Sequence, residues 1–157
     1  MRPGEVLSPR AGEIFTCIRS SDDGGVFVFE MELGPQGRGP PMHSHDDDEG
    51  IEVLDGEIVF EVRGEAKTLR RGDALTLPAG TPHRFWNPSR SQPVRCTVTH
   101  GARFERALAQ PDLTRMAMYL TFVDPGASRM TSPFVRAVLY VVAQVGRLRG
   151  RSPLPST

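Results

Sequence analysis

The chain has 157 residues, enough for one domain with a buried core and too few for two, and its 19 Lys and Arg balance 19 Asp and Glu. No basic field argues for nucleic acid, no acidic block argues for a disordered tail, and no apolar run approaches the about 18 residues of a membrane span. Cys17 and Cys96 stand far apart inside strand-like runs, which excludes a CxxC redox pair or a zinc knuckle and reads as two reduced, buried thiols. The first residues, Met1-Arg2-Pro3-Gly4-Glu5, lack the apolar core of a signal peptide. A cytoplasmic protein with a small-molecule ligand, and with neither nucleic acid nor membrane as partner, is expected.

In chain order, residues 13–19 read as a strand and residues 20–25 as a turn rich in Ser, Asp and Gly. Residues 26–33 alternate. Phe27, Phe29, Met31 and Leu33 share the face expected in the core, and Glu30 and Glu32 lie on the other face as pocket candidates should that face look inward. Residues 34–41, with three glycines and three prolines, form a stiff loop that ends the strand and delivers the chain to His43. His43 and His45 project from the same face of an extended strand, so two imidazoles can share one ion. Asp46, Asp47 and Asp48 read as a solvated turn, because three buried carboxylates would repel one another. Glu49 follows, far enough on for a bend back to the same point. Asp55-Gly56 between β-rich runs predicts a hairpin of residues 51–54 with 57–63, and a meander continues through turns at Gly64-Glu65 and Gly72-Asp73. After the turn at residues 78–82 comes a third imidazole, His83, with Phe85 and Asn87 on its face and Trp86 opposite. Three neutral histidines and one carboxylate around a divalent ion carry a net charge near +1. The last strand, residues 94–99, puts Val94, Cys96 and Val98 on one face, and His100 is placed at the chain end and rim.

After Gly101 the period becomes helical. Residues 104–110 form a short helix halted by Pro111, and Asp112 caps a second one that runs to about residue 122. Asp124-Pro125-Gly126 breaks the chain. Ser132-Pro133 has the N-cap and N1 chemistry of a third helix, ending before Gly150. Its apolar face, Val135, Val138, Leu139, Val142 and Val145, is too broad to leave wet, so it packs on the body of the protein or on a second subunit in a homodimer.

Two segments, Gly37-x5-His43-Ser44-His45-x3-Glu49-x6-Gly56 and Gly72-x5-Pro78-x-Gly80-x2-His83-x3-Asn87, resemble the two motifs of the cupin superfamily, with every motif position filled. The resemblance implies an all-β fold: an antiparallel jelly-roll (double-stranded β-helix) barrel over residues 1–101, with a C-terminal helical appendage over 102–157. It also implies that His43, His45, Glu49 and His83 bind one divalent transition metal. Nitrogen and oxygen donors suit Fe, Mn, Ni, Cu or Zn without choosing among them. The first functional reading is a metal-dependent dioxygenase similar to the small quercetinase-like cupins, acting on a small, aromatic, bidentate substrate. Glu49 then doubles as the catalytic proton acceptor, and Ile58, Phe60 and Phe85 are the candidate pocket walls. Two alternatives stay open: a metal-dependent isomerase, epimerase or decarboxylase of a sugar-like or keto acid, and a non-enzymatic protein that binds or senses a small molecule. A shared fold hosts many chemistries, and no residue of the sequence separates these readings.

Overall fold

The computed structural model describes residues 1–23 and 25–152. Residues 153–157, the end of the expected appendage, and Gly24 of the expected turn lie outside the described residues. The strands are β1 (Val6–Arg10), β2 (Glu13–Arg19), β3 (Val26–Leu33), β4 (His43–Ser44), β5 (Glu49–Asp55), β6 (Glu57–Val62), β7 (Glu65–Arg70), β8 (Ala74–Leu77), β9 (His83–Trp86), β10 (Val94–Gly101) and β11 (Arg129–Met130). The helices are α1 (Ala102–Leu108), α2 (Leu113–Met118), continued by one π turn over Tyr119–Val123, and α3 (Pro133–Leu148). Every ladder is antiparallel, and the strands form a six-stranded sheet ordered β1-β2-β3-β10-β5-β8 and a five-stranded sheet ordered β11-β4-β9-β6-β7.

The core lies between these sheets because each turns one face of its period-2 pattern inward. Phe27, Phe29, Met31 and Leu33 of β3 are buried, as are Val94, Cys96 and Val98 of β10, and they meet Ile58, Phe60, Leu69 and Phe85 of the second sheet. Glu30 lies on the outer face of β3, where Arg95 donates to it at 2.8 Å. Both cysteines are buried free thiols, and burial pushes the Cys96 thiol up to about 12.

The structure corrects the expected meander. Asp55-Gly56 does not close a hairpin: β5 pairs with β10 and β8, whereas β6 pairs with β7 and β9 in the other sheet. Gly56 makes this corner possible. Its φ of 78° belongs to glycine, and a Cβ there would stand 2.8 Å from the carbonyl oxygen of Pro93. Gly72-Asp73 likewise passes the chain from β7 in one sheet to β8 in the other. The hairpin of this region is β6–β7, closed by Arg63-Gly64, both at positive φ (52° and 89°), as a two-residue type I′ turn demands. Two further strands, β1 and β11, escape the sequence pattern. The latter brings residues of the helical segment into the second sheet beside His43.

α2 begins where expected, with the Asp112 carboxylate accepting from the backbone N–H of Arg115 at 2.9 Å. α3 is capped by Ser132, and its apolar residues divide between two sides. Val135, Leu139 and Val142 are half-buried and Ala143 and Gly146 are buried, with Gly146 closely approached by Met118 and Thr114 of α2. Val138 and Val145, expected on the buried face, are exposed together with Phe134, Val141 and Leu148. Among the described residues, no helix is long and apolar enough to cross a membrane.

Candidate metal centre

Four ligand-type side chains meet at one end of the core. His43, at the start of β4, faces His83, at the start of β9, directly across the ladder. His45 follows one residue after β4, and Glu49 opens β5 in the other sheet. All four residues are buried. Ligand-type nitrogens of His43, His45 and His83 lie within 4.8 Å of one another, and a second such set joins His45 and Glu49 to His100. Donors held at about 2.0–2.2 Å from a common ion stand about 3–4 Å apart, so this spacing suits shared ligation. Oε2 of Glu49 is 3.0 Å from Nε2 of His83 and 3.7 Å from Nε2 of His45.

Backbone carbonyls set the orientation of the three expected histidine ligands. The Nδ1 of His43 donates to Pro41 O at 2.9 Å, that of His45 to Ala127 O at 2.7 Å, and that of His83 to Thr81 O at 2.9 Å. With Nδ1 carrying the hydrogen, each neutral ring leaves the Nε2 lone pair bare. Burial, reinforced by the neighbouring imidazoles His45 and His83, drives the pKa of His43 down to about 3, and burial also lowers that of His45. His83 differs. Burial works against its charged form, but the Glu49 carboxylate more than offsets this and raises its pKa. Burial would raise Glu49 too, yet the imidazoles of His83 and His45 hold it at about 2. The centre thus offers an ionised carboxylate and two neutral imidazoles, His43 and His45, and a metal binding at Nε2 of His83 would displace the proton that Glu49 favours there. Buried Oε2 of Glu49 and Nε2 of His83 make no directed hydrogen bond, which fits a group between them.

The other candidates separate. Phe85 lines a cavity of about 230 Å³ that opens onto His43, His45 and Glu49. Ile58 and Phe60 are fully buried in the core and do not line that cavity. Its remaining walls are mostly apolar and come from the six-stranded sheet (Phe15, Phe29, Met31, Val98), from Met130 of β11 in the other sheet, and from the helices (Phe104, Leu108, Leu113, Met116, Leu139). Asp46 and Asp47 are not simply solvated: Asp46 pairs with Arg129 at 2.5 Å, Arg103 lies 3.9 Å from each, and Asp48 accepts from Ala79 N at 2.8 Å. Asn87 is 2% exposed and holds backbone rather than a ligand, donating through Nδ2 to the carbonyls of Leu33, Gly34 and Gln92.

Sequence reasoning misplaced His100. It is 1% exposed, stacks on Phe104 at 4.2 Å and meets the ring of His45 edge-on at 4.4 Å. The signal was present, because residues 94, 96, 98 and 100 share one face of β10 and the first three are apolar. Ala127 carried no such signal. Its carbonyl comes from the loop between the π turn after α2 and β11 and reaches His45 only in three dimensions.

Residues 29–100 match the family model described as "Cupin domain". Quercetin 2,3-dioxygenase of Bacillus subtilis is 41% identical over 63 residues, which is 40% of this chain and 19% of that protein. Acireductone dioxygenase of Tuber melanosporum is 44% identical over 48 residues, 27% of this chain and 28% of that one. The chain therefore spans under a third of the length of either enzyme. An RmlC-like cupin from Shewanella frigidimarina superposes with a TM-score of 0.55 over 63% of this chain and 84% of its own, at 18% identity, a likeness of fold. The antiparallel sheets, the His-x-His strand, the returning carboxylate and the third histidine across the ladder agree with these comparisons: residues 29–100 form a cupin domain.

Proposed function

We propose that this protein is a metal-dependent dioxygenase acting on a small apolar substrate that presents two adjacent oxygen donors. One observation carries the reading: three imidazoles whose Nδ1 atoms are held by backbone carbonyls and one ionised carboxylate converge beside an apolar cavity that His43, His45 and Glu49 line. His43, His45 and His83 through Nε2, and Glu49 through its carboxylate, would hold one divalent transition metal, with Fe, Mn, Ni, Cu and Zn all compatible. When bound, such an ion supplies open positions where substrate and dioxygen are activated together. Glu49 is the group able to take a hydroxyl proton from the substrate, because it is ionised and faces the cavity. Phe85, Phe29, Phe104 and Met31 exclude water and favour an aromatic or alkyl body.

The cavity also bears on substrate size. Its volume is below the about 300–1,000 Å³ of pockets for drug-sized ligands, so a single-ring diphenol or a short 1,3-diketone fits the reading better than a complete flavonol. A sugar would leave most of its hydroxyls against apolar walls without partners, which disfavours the isomerase alternative. The two dioxygenase relatives support the class of chemistry and leave the substrate to experiment.

The test is anaerobic reconstitution with each candidate metal, followed by oxygen uptake across diphenols, flavonols and 1,3-diketones. Stoichiometric uptake with at least one metal and loss of substrate is expected. If no metal supports uptake while a panel compound still binds, the protein is a small-molecule binder or sensor instead.

Two structural proposals accompany this reading. The sheets are taken as the two halves of a jelly-roll barrel over residues 1–101, supported by their common core and by a chain that alternates between them. Residues 102–157 are taken as an extension whose helices roof the cavity. The exposed seam Phe134, Val138, Val141, Val145 and Leu148 recurs at 4-3-4-3 spacing, the heptad pattern of a two-stranded helical pair. A second copy of this chain is its proposed occupant. Two such seams bring together on the order of 1,000 Å², the lower limit for a specific interface.

A further inference from the structure

We infer that His100 is a positioning residue: its Nε2–H is the hydrogen-bond donor that holds the Glu49 carboxylate, and it is not a fourth imidazole ligand. The inference rests on the metal-centre reading above and concerns a residue that reading leaves without a role.

The four imidazoles at the centre sort by what faces Nδ1. In His43, His45 and His83 it is a carbonyl oxygen, which only accepts. Around His100 the polarity is reversed, because the backbone N–H of Gly101 donates to Nδ1 at 2.8 Å. A peptide N–H has no lone pair to offer, so Nδ1 of His100 must supply one, and the single hydrogen of the neutral ring then sits on Nε2. A nitrogen bearing that hydrogen cannot ligate a metal. It can donate.

The ring is fixed in place by stacking on Phe104, with 17° between planes, and by its edge-on contact with His45. Its Nε2 is buried without a hydrogen-bond partner. Buried donors are seldom left in that condition. The other orphaned buried atoms of the centre, among the described residues, are Nε2 of His83 and Oε2 of Glu49, and of these the carboxylate oxygen is the acceptor that an N–H requires. Ligand-type atoms of His45, Glu49 and His100 already lie within 4.8 Å of one another, which sets the Glu49 carboxylate beside this donor. Partners of this kind orient a ligand and tune it without touching the ion.

Sequence supplies the reason for the reversed tautomer. His100 is followed at once by Gly101, the last residue of β10 and the N-cap of α1, and at this junction the Gly101 N–H is turned onto the ring. His43 and His83 instead follow loops whose carbonyls, at Pro41 and Thr81, turn back toward them.

The test uses the full chain with its histidines labelled with nitrogen-15 and loaded with zinc. Two-bond proton–nitrogen correlations should show His43, His45 and His83 as Nδ1–H tautomers with ligated Nε2, and His100 as an Nε2–H tautomer. An Nδ1–H tautomer or a ligated Nε2 at His100 overturns the inference. His100→Phe keeps the ring stack and removes the donor, and His100→Gln returns an N–H near the position of Nε2. The Phe variant should bind zinc about 10–100-fold more weakly and keep the wild-type number of coupled nitrogens in the electron paramagnetic resonance of the copper(II) form, and the Gln variant should recover most of the loss. A coupled nitrogen lost in His100→Phe identifies a ligand and overturns the inference. Unchanged zinc affinity in that variant, or equal loss in both variants, overturns it as well. If zinc does not bind the wild-type protein, the metal-centre reading fails by itself, and the same correlations on the metal-free protein decide whether His100 is the donor.

Discussion

Asn87 shows how a motif position serves the centre without touching it. Its amide gathers three carbonyls while its Oδ1 accepts from Ser89 N at 2.9 Å, so it ties the loop after β9 to the end of β3. Asn87→Asp replaces the donors with a buried carboxylate facing carbonyl oxygens. A loss of about 3 kcal/mol or more in denaturant unfolding is expected. Gly39 sets a wall of the cavity, since a Cβ there would stand 2.5 Å from the ring of Phe85. Gly39→Ala should cost about 1–3 kcal/mol by overpacking, and Phe85→Leu in the same chain should return part of it in thermal melting. Among the ligands, His83→Ala should weaken metal binding by more than about 100-fold in a chelator competition, because even outer partners of a ligand cost 10–100-fold. Glu49→Gln keeps an oxygen donor but loses the proton acceptor, so metal content should fall less than turnover.

The elements are held by contacts the local pattern does not announce. α1 is anchored by Glu105, whose carboxylate accepts from Ser20 Oγ and from Ser21 N, each at 2.8 Å, and also from Ser21 Oγ and the Met1 amine. Burial would raise the pKa of Glu105, but the Met1 amine and the serine hydrogen bonds carry it from its ordinary 4.5 down to about 2. A carboxylate depressed in the folded state contributes stability that is complete above its unfolded value and is lost as pH falls through the folded one. Glu105→Gln should therefore cost about 1–3 kcal/mol at pH 6, and the gap to wild type should shrink as pH falls from 4.5 toward 2 in melting experiments. The same dependence on distant partners explains the turns. Asp55-Gly56 carries the chemistry of a hairpin, but a left-handed glycine also permits a corner, and the partners β8 and β10 decide between them.

At the scale of the molecule, the segment after Gly101 is part of the centre. Ala127 supplies the carbonyl that orients His45, β11 pairs with β4, and Phe104 and Leu108 pack on the main core. Truncation after Gly101 should lower both melting temperature and metal affinity. Equal metal binding by the truncated chain would mean that His45 needs no such orientation. Val141→Glu, on the exposed seam of α3, should leave the melt of the single subunit unchanged and convert a dimer to a monomer in sedimentation.

What the sequence by itself determined is what short range controls. Period 2 sorted the inward faces of β3 and β10, Asp112 and Ser132 marked helix starts, and the spacing of His43 and His45 put two imidazoles on one side of the chain, because side-chain direction and capping depend on neighbours a few residues away. Which sheet each strand joined, the return of Ala127 to His45 and the burial of His100 beside it were decided by the tertiary structure. These features join residues far apart along the chain, His43 to Met130 and His45 to Ala127 among them, and the energy that selects them, burial of both sheets against one core, belongs to no single segment.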